Sequence, residues 1–420
     1  MNYLFIHQNF PGQYRHLVRH LADDPGNRVI FITQPNENEM PGVRKVVYPK
    51  DQRRHINCHA YTVDIDRAIY AGANVAEVCR TLRDQQGLRP DIVIGHSGWG
   101  ETLFVKEIYP DVPLLANFEF YYHGQGVDVG FDSEFDSIFN NPARLRARNA
   151  TSLLAYDTAD WGHSATRWQH SLFPPELRPS ITVIHEGVDT DLARPNPQAS
   201  LRLPGWQRDL TCADEVVTYV ARNLEPYRGF HIFMRALPRL LRRRKGLQVL
   251  IVGGDGVSYG APPAPGSTFR KMMLDELGDS LDPKRVHFLG QVDYATYLRI
   301  LQVSSAHVYL TYPFVLSWSF LEAMACGCLV VGSATAPVLE VLRDGVNGLA
   351  VDFFSSKDLA ARIEQVLEHP DRMQSLRADA RRTAVRGYDL KRRQLPRWNK
   401  LIAELAAGRR RRAGSARAAR

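Results

Sequence analysis

The sequence lacks any apolar run near the ~18 residues that a membrane-spanning helix needs. Its first residues, MNYLFIHQNFPGQ, also lack the basic start and the small-residue cleavage site of a secretory signal peptide. The same residues are typical of a first β-strand that runs into a loop. We therefore expect a cytoplasmic protein.

Cysteine is scarce, with five residues at irregular spacing. An odd number of scattered cysteines indicates free thiols in a reducing compartment. Cys326 and Cys328 flank one glycine, have no second pair elsewhere and lack metal-ligand spacing, so we interpret both as small buried residues. Two Asp-x-Asp pairs, starting at Asp64 and Asp189, fall at a predicted helix start and in a predicted linker rather than at a strand end. Neither pattern predicts a metal site.

Most of the excess positive charge lies at the end of the chain. The formal net charge is +8, and six arginines lie within residues 409–420, so the rest of the chain is close to neutral. A basic terminus with alanine and glycine is typical of a solvated, disordered end. It also suits an anionic membrane surface. Because no aromatic residues are interleaved with these arginines, we expect no nucleic-acid binding.

Short apolar segments alternate with amphipathic helical segments in each half of the chain. Examples are NYLFI, VIFI and DIVIG in the first half, and VVTYVA, LQVLIVGG and AHVYLT in the second. This alternation predicts an α/β protein with parallel sheets covered by helices on both faces. The predicted organisation is a first domain at 1–190, a proline-rich linker at 191–213, a second domain at 214–388, a C-terminal helix at 389–406 and a disordered tail at 407–420.

The most informative stretch runs from Tyr312 to Glu340, YPFVLSWSFLEAMACGCLVVGSATAPVLE. It predicts a loop, a short helix that ends at Gly327, a buried strand and a second loop. Glu322 lies one turn inside the helix, where a carboxylate can bind paired hydroxyls such as a ribose diol. The N–H groups ahead of it can bind an anion. The pattern also fits an ordinary helix–strand turn of a Rossmann-like domain.

Two arginines, Arg222 and Arg228, lie six residues apart at a predicted strand–helix turn. Fixed cations there can clamp a diphosphate, and Gly229 lets the backbone approach closely. The alternative is a solvated pair at a helix start. Gly12 in HQNFPGQ and Gly254 in VGGDG follow or end strands at the sheet edge where ligands bind in such folds, although glycine turns end many strands.

Polar side chains follow two strands of the first half. His96 comes after DIVIG, and Glu119 and His123 come after PLLA. Because the carboxyl ends of parallel strands share one edge of a sheet, we expect these side chains to bind an acceptor. His96 can equally be a loop histidine whose hydrogen bonds are satisfied locally.

The stretch from Tyr312 to Glu340 resembles the donor-binding signature of the retaining glycosyltransferases of family 4. That signature is a Glu, seven residues and a second Glu in LEAMACG; the second Glu corresponds to Glu322, and Glu340 stands near the family's downstream Glu. Phe314 occupies the position of the first Glu, so the resemblance does not imply the family's usual contact to the sugar hydroxyls. HQNFPGQ is similar to the start of a bacterial subgroup of this family.

The resemblance covers nearly the whole chain and implies the GT-B fold. That fold has two facing Rossmann-like, doubly wound α/β domains with an interdomain cleft, and a last helix that returns to the N-terminal domain. The stretch from Leu390 to Leu405 is similar to that helix.

The resemblance also implies site residues. Arg222 and Arg228 correspond to the Arg and Lys that hold the donor's diphosphate, with arginine in place of the usual lysine. Glu119 stands where the family has a histidine near the sugar's 6-hydroxyl, with His123 as the alternative, and would be a base or an acceptor contact. The other implied positions are Gly12 and Gly254 beside the phosphate, Leu289 with Val292 and Tyr294 near the nucleobase, and Val315, Leu316 and Ser317 along the sugar and phosphate.

The implied function is retaining transfer of a sugar from a nucleoside-diphosphate sugar to a hydroxyl acceptor, without a metal or another cofactor. In the family the departing phosphate oxygen takes the acceptor's proton on the same face, so no side-chain nucleophile is required. Family analogy favours an acceptor in surface polysaccharide or lipid-linked glycan assembly at the inner membrane. Three alternatives stay open: a nucleotide-sugar epimerase, a phosphorylase, and a non-catalytic nucleotide-sugar-binding partner, which the missing Glu at Phe314 favours.

Overall fold

Residues 1–53, 57–135, 141–203 and 205–408 are described by the computed structural model. They form two compact units: unit 1 within Met1–Gln125, Ile138–Gly187 and Leu390–Arg420, and unit 2 within Gly126–Ser137 and Val188–Asp389. The basic stretch 409–420, for which disorder and contact with anionic membranes were predicted, lies outside the described residues. Across the described part of the chain, no helix combines the length and the apolar character needed to cross a bilayer.

Unit 1 is built on a parallel β-sheet. Its strands are β1 (Asn2–Ile6), β2 (Arg28–Thr33), β3 (Val43–Val47), β4 (Ile92–His96), β5 (Leu114–Asn117), β6 (Trp161–Ser164) and β7 (Ile181–Val183). They pair in the spatial order β3-β2-β1-β4-β5-β6-β7. The strand order changes direction between β1 and β4, and ligands bind at such switch points beyond the carboxyl ends of the strands.

Both faces of this sheet are buried. Along β1, Tyr3 and Phe5 belong to one hydrophobic cluster, and Leu4 and Ile6 to another on the opposite face. This is why residues Tyr3–Ile6 are all apolar, rather than every second residue. The helices of unit 1 are α1 (Arg15–Ala22), α2 (Val63–Gln86), α3 (Val105–Ile108), α4 (Pro142–Arg148), α5 (Ala150–Thr158) and α6 (Arg167–Leu172), together with the last helix of the chain.

Unit 2 contains a second parallel sheet and a small antiparallel hairpin. Its strands are β8 (Ser200–Arg202), β9 (Asp209–Thr211), β10 (Val216–Asn223), β11 (Gln248–Gly254), β12 (Val286–Gly290), β13 (Ala306–Tyr309), β14 (Val330–Ser333) and β15 (Leu349–Val351). The parallel strands pair in the order β12-β11-β10-β13-β14-β15, and β8 pairs with β9. The switch point of this sheet lies between β10 and β13.

Helices accompany each strand crossover of unit 2. They are α7 (Phe230–Arg243), α8 (Phe269–Leu277), α9 (Tyr294–Gln302), α10 (Trp318–Ala325), α11 (Ala336–Leu339), α12 (Ser356–Glu368) and α13 (Gln374–Tyr388), and α14 (Leu395–Ala406) follows in unit 1. Helix α14 buries Leu395, Trp398 and Leu401 in the cluster that also holds Phe5 and Ile94 of the first sheet.

Two segments differ from the organisation that the sequence predicts. The stretch 191–213, predicted as a linker, lies within unit 2 and includes β8 and β9. Its strands have three residues each, which is too short to produce a visible period. The segment Gly126–Ser137 belongs to unit 2 although the chain on both sides of it belongs to unit 1. Its assignment rests on contacts distant in sequence, which no local pattern indicates.

Candidate functional site

Arg228 lies at the switch point of the second sheet. Strand β10 ends at Asn223, a short 3-10 turn covers Pro226–Arg228, and Gly229 follows with φ of 64° before α7 begins. A Cβ on Gly229 would collide with Leu310, so only glycine allows this turn to pack there. The turn buries Arg228, whereas Arg222, still within β10, is exposed. The two predicted cations thus occupy different surroundings.

The Arg228 guanidinium is held by neutral groups. Its Nη1 donates to Thr311 Oγ1 at 2.8 Å and to the Val315 carbonyl at 3.0 Å. The group also lies 5.2 Å from the ring centroid of Tyr259. Within the described residues no carboxylate forms an ion pair with Arg228. A buried cation without a paired anion is costly, so this arrangement favours an anionic ligand.

The loop before α10 is tied to the same arginine. The Val315 carbonyl accepts from Arg228, and the Ser317 N–H donates to the Tyr309 hydroxyl at 2.7 Å. Ser317 is the N-cap of α10, and its neighbour Leu316 is buried. The structure therefore brings three of the predicted donor-side positions, Val315, Leu316 and Ser317, beside Arg228.

Glu322 lies one turn inside α10, as predicted. One of its carboxylate oxygens accepts from the Tyr294 hydroxyl at 2.8 Å, and the other accepts from the Tyr297 hydroxyl at 2.8 Å. Burial, together with this carboxylate, raises the pKa of both tyrosines. Each carboxylate oxygen has two lone pairs, so one oxygen can accept more than one hydrogen bond. Tyr294 was predicted to lie near a nucleobase, whereas Tyr297 was not foreseen.

An aromatic cluster of Tyr227, Tyr259, Tyr312 and Phe314 adjoins Arg228. The Tyr227 ring lies 4.5 Å from Tyr312 and 5.6 Å from Phe314, and the Tyr259 ring lies 5.0 Å from Phe314. Phe314 therefore packs against aromatic rings at the position where the family signature has its first Glu. Tyr227 precedes Arg228 directly and could have been noticed for that reason. The glycine-rich loop around Tyr259 gave no comparable signal.

Two further donor-side predictions, Gly254 and Leu289, have ordinary packing partners. A Cβ on Gly254 would lie 2.8 Å from Asn223 Oδ1, so the end of β11 packs closely against the end of β10. Asn223 in turn donates to Ser258 in the loop that carries Tyr259. Leu289 is partly buried against the cluster that includes Leu250 and Val252.

One group of side chains has metal-ligating chemistry in the described part of the chain. Asp132, Glu134 and His231 place one ligand atom each within 4.8 Å of one another. Their carboxylates already have partners, because Tyr312 donates to Asp132 at 2.7 Å and Arg235 donates to both oxygens of Glu134. The Arg235 guanidinium thus gives Glu134 the positive partner that a metal ion would otherwise provide.

A second polar cluster lies at the switch point of the first sheet. The N–H of Asn9 donates to His7 Nδ1 at 2.8 Å, so the His7 proton sits on Nε2, which lies 2.5 Å from Gln13 Oε1. The Gln13 amide then donates to Glu119 Oε1 at 2.6 Å. Burial and nearby His96 lower the pKa of His7 to about 3, so its ring is neutral.

His96 approaches the other oxygen of Glu119. Its Nδ1 accepts from the Gly98 N–H at 3.0 Å, which leaves the proton on Nε2, 3.5 Å from Glu119 Oε2. Burial acts to raise the pKa of Glu119, but His96 and Gln13 outweigh it, and the pKa is lowered overall. The side chain stays 24% exposed. Glu119 is therefore an ionised carboxylate that can bind a hydroxyl.

Trp99 and His123 follow the ends of β4 and β5, the same strand ends at which His96 and Glu119 lie. The Trp99 ring stacks on His96 at 4.0 Å with an interplanar angle of 19°, a contact that the sequence analysis did not foresee. His123 lies apart from the cluster in its bonding, because its Nε2 lies 2.8 Å from the Leu172 carbonyl. The structure thus brings Glu119 and His96 together, and not His123.

Replacing Gly12 by alanine is expected to lower the free energy of unfolding by about 2 kcal/mol. Gly12 has φ of 54°, and a Cβ there would lie 2.7 Å from the His7 ring. The ring would have to move and break its bond to Gln13. Gly87→Ala is the matched control, since Gly87 has φ of 64° with open space around it, and should cost only about 1 kcal/mol. Chemical denaturation measures both; equal losses would contradict the predicted clash.

Two family models match this chain, one in each half. Residues 25–193 match the model described as Glycosyl transferase family 4 group, and residues 208–383 match Glycosyl transferases group 1. A D-inositol 3-phosphate glycosyltransferase of Thermobispora bispora is 23% identical over 383 residues, covering 88% of this chain and 84% of the relative. The enzyme of the same name from Mycobacterium sp. (strain JLS) is 32% identical over 187 residues, covering 44% and 39%. The second match therefore spans less than half of that relative's length.

Two solved structures align over 97% of this chain and 100% of their own, each at 18% identity. They are sucrose-phosphate synthase from Thermosynechococcus elongatus, with a TM-score of 0.70, and Anabaena HepE in complex with UDP-glucose, with a TM-score of 0.68. Together with the two parallel sheets, these alignments confirm the α/β GT-B class with two Rossmann-like domains.

Proposed function

Because the chain belongs to the family 4 and group 1 glycosyltransferases, we propose that it moves a sugar from a nucleoside-diphosphate sugar to a hydroxyl with retention of configuration. The observation that carries this proposal is the buried guanidinium of Arg228, which has neutral hydrogen-bond partners and no paired carboxylate among the described residues. A diphosphate is the ligand that such a group favours, because two of its oxygens can meet a guanidinium at once.

The donor's diphosphate would bind between Arg228 and the start of α10. The Ser317 hydroxyl at that helix start can donate to a phosphate oxygen, and the positive end of the α10 dipole favours an anion there. A relative in fold, HepE, has been solved with UDP-glucose, which supports a uridine donor in the first experiments. The aromatic cluster at Phe314 would border the sugar in place of the carboxylate that the family signature has there.

Chemistry at this site would rest on charge stabilisation. Cleavage of the sugar–phosphate bond leaves negative charge on the diphosphate, and a fixed cation aimed at it stabilises the transition state by several kcal/mol. Arg228 would supply that charge, so the proposed reaction needs no metal. The departing phosphate oxygen would take the proton of the acceptor hydroxyl on the same face, which produces retention without a protein nucleophile.

The acceptor would bind through Glu119. This carboxylate is ionised, partly exposed and held by Gln13 and His96, so it can accept a hydrogen bond from an acceptor hydroxyl. Its lowered pKa makes it a weak base, which favours binding over proton abstraction. The curated relatives are named for inositol 3-phosphate, which supports a polyhydroxylated acceptor. We propose a glycan or lipid-linked acceptor in surface polysaccharide assembly, reached at a membrane surface.

Titration against UDP-, GDP-, dTDP- and ADP-sugars tests the donor half of this proposal. One donor should bind, and its nucleotide should be released on incubation with a polyol or glycan acceptor, with the product anomer read by NMR. Retained configuration supports the mechanism, and inversion contradicts it. Donor binding without any turnover would instead support a non-catalytic binding partner. Absence of binding to every donor would refute the proposed function.

Glu322→Gln is expected to weaken binding of that donor by about thirtyfold, because a ribose diol loses a charge-assisted hydrogen bond. Calorimetry with the intact donor and with the free nucleoside diphosphate should show the same loss, since both carry the ribose. Tyr297→Phe is the matched control, because it removes a bond to Glu322 while keeping the carboxylate. If Tyr297→Phe also weakened donor binding thirtyfold, the effect of Glu322→Gln would come from disturbed packing and not from a lost bond to the ribose.

A further inference from the structure

The segment Gly126–Ser137 leaves unit 1 and belongs to unit 2. Its described part, residues 126–135, is called the strap. Several side chains of the strap contact the rest of unit 2. Phe131 packs on Phe353 at 5.1 Å and on Tyr312 at 5.1 Å, and Phe135 packs on His231 at 4.9 Å.

Two carboxylates of the strap accept from tyrosines of the aromatic cluster. The Tyr227 hydroxyl donates to Asp128 at 2.9 Å, and the Tyr312 hydroxyl donates to Asp132 at 2.7 Å. Both carboxylates are buried, at 6% and 5% exposure. Burial acts to raise the pKa of Asp132, but the bonds from His231 and Tyr312 lower it overall.

Attachment alone does not explain these two charges. Phe131 and Phe135 already bury apolar surface, and taking a carboxylate out of water costs several kcal/mol before its bonds are counted. An apolar side chain at either position would attach the strap at lower cost. What a buried carboxylate adds is a fixed orientation of the hydroxyl that it accepts from, and therefore of the ring that bears it.

The rings of Tyr227 and Tyr312 are connected by direct contacts to the surroundings of Arg228. The Tyr312 N–H donates to the Tyr227 carbonyl at 3.0 Å, which joins the Arg228 turn to the loop before α10. The Tyr227 ring contacts Phe314, and Phe314 contacts Tyr259, whose ring lies against the Arg228 guanidinium. Each step is a direct contact within unit 2.

We infer that Asp128 and Asp132 are positioning residues for donor binding, acting through Tyr227 and Tyr312 on the walls around Arg228. This inference rests on the proposed function, because it concerns the same donor site. Neither aspartate needs to touch the donor. Their substitution should therefore change donor affinity more than the turnover of bound donor.

The test uses the full chain and the nucleotide sugar that binds best in the titration described above. Asp128→Asn should raise the donor Kd and KM about tenfold and change kcat less than threefold. Tyr227→Phe should do the same. The double variant should lose no more than the larger single loss, since both changes act on the same hydrogen bond. The pair Asp132→Asn and Tyr312→Phe is tested in the same way.

Glu134→Gln is the matched control on the same strap. It weakens the ion pair with Arg235 on the exposed side of the strap and leaves the aromatic cluster intact. Its donor Kd should stay within twofold of the parent, whatever its melting temperature. Equal loss of donor affinity in Asp128→Asn and Glu134→Gln, or additive losses in the double variant, would overturn the inference while the proposed function stands. A parent chain that binds no nucleotide sugar would overturn both.

Discussion

Replacing Arg228 by alanine should lower kcat/KM for glycosyl transfer by about 10³-fold and remove measurable binding of the donor. Arg228 is 7% exposed and donates to Thr311 and Val315, so its removal takes a fixed positive charge out of a buried position. The loss should be equally large for the free nucleoside diphosphate, because the proposed contact of Arg228 is to phosphate and not to the sugar.

Two further variants define what Arg228 contributes. Arg228→Lys keeps the charge without the planar fork, so it should recover part of the affinity but not all of it. Arg222→Ala should cost less than tenfold, because an exposed cation contributes about 1 kcal/mol or less. Melting temperatures of all variants separate loss of binding from loss of folding. Full donor affinity in a folded Arg228→Ala variant would contradict the proposed site.

The fold class was predictable because parallel strands buried on both faces are apolar throughout. Segments such as Tyr3–Ile6 and Val249–Val252 are recognisable without any knowledge of their neighbours. The strap was not predictable, because its place in unit 2 depends on Asp128 meeting Tyr227, 99 residues later in the chain. Local patterns carry no information about such pairs.

The difference between local patterns and contacts distant in sequence also applies to the candidate site. Arg228 stands at a strand–helix turn and Glu322 one turn inside a helix that follows a strand and a loop, and short-range spacing indicates both positions. The partners that set their chemistry are separated in sequence: Tyr294 and Tyr297 reach Glu322 from α9, and Thr311 reaches Arg228 from beyond β13. Sequence analysis therefore named charged residues of the candidate site but did not predict which groups hydrogen-bond to them.

Glu119 and His123 show how two candidates four residues apart are separated by structure. Both follow β5, and both were candidates for the acceptor side. The Glu119 carboxylate is supported by Gln13 and His96, which reach it from the ends of β1 and β4, whereas the His123 ring is bonded to the Leu172 carbonyl. Only the spatial order of the strands, with β1 and β4 adjacent, distinguishes the two.

Replacing Glu119 by glutamine should lower kcat/KM for transfer by about 100-fold and leave the donor Kd within twofold. The acceptor hydroxyl loses a charge-assisted bond. A glutamine amide at position 119 has one oxygen for two neighbouring donors, Gln13 Nε2 and His96 Nε2. One of these donors would therefore face the amide NH₂ group instead of an acceptor. The variant should therefore also lose about 1–2 kcal/mol of stability. Transfer rates against acceptor concentration and calorimetry with the donor measure the two effects separately.

His123→Ala is the matched control from the same loop and should transfer within twofold of the parent rate.

The pH dependence gives an independent check. A carboxyl whose pKa is lowered in the folded protein stabilises the fold above its ordinary pKa near 4.5, and that contribution is lost as the pH falls through the lower, folded value. Glu119 is thus ionised throughout the neutral range, and its titration should leave transfer unchanged between about pH 5.5 and 8. If the rate instead rose with a pKa near 7 that Glu119→Gln abolished, Glu119 would be a general base and the acceptor-binding role would be wrong.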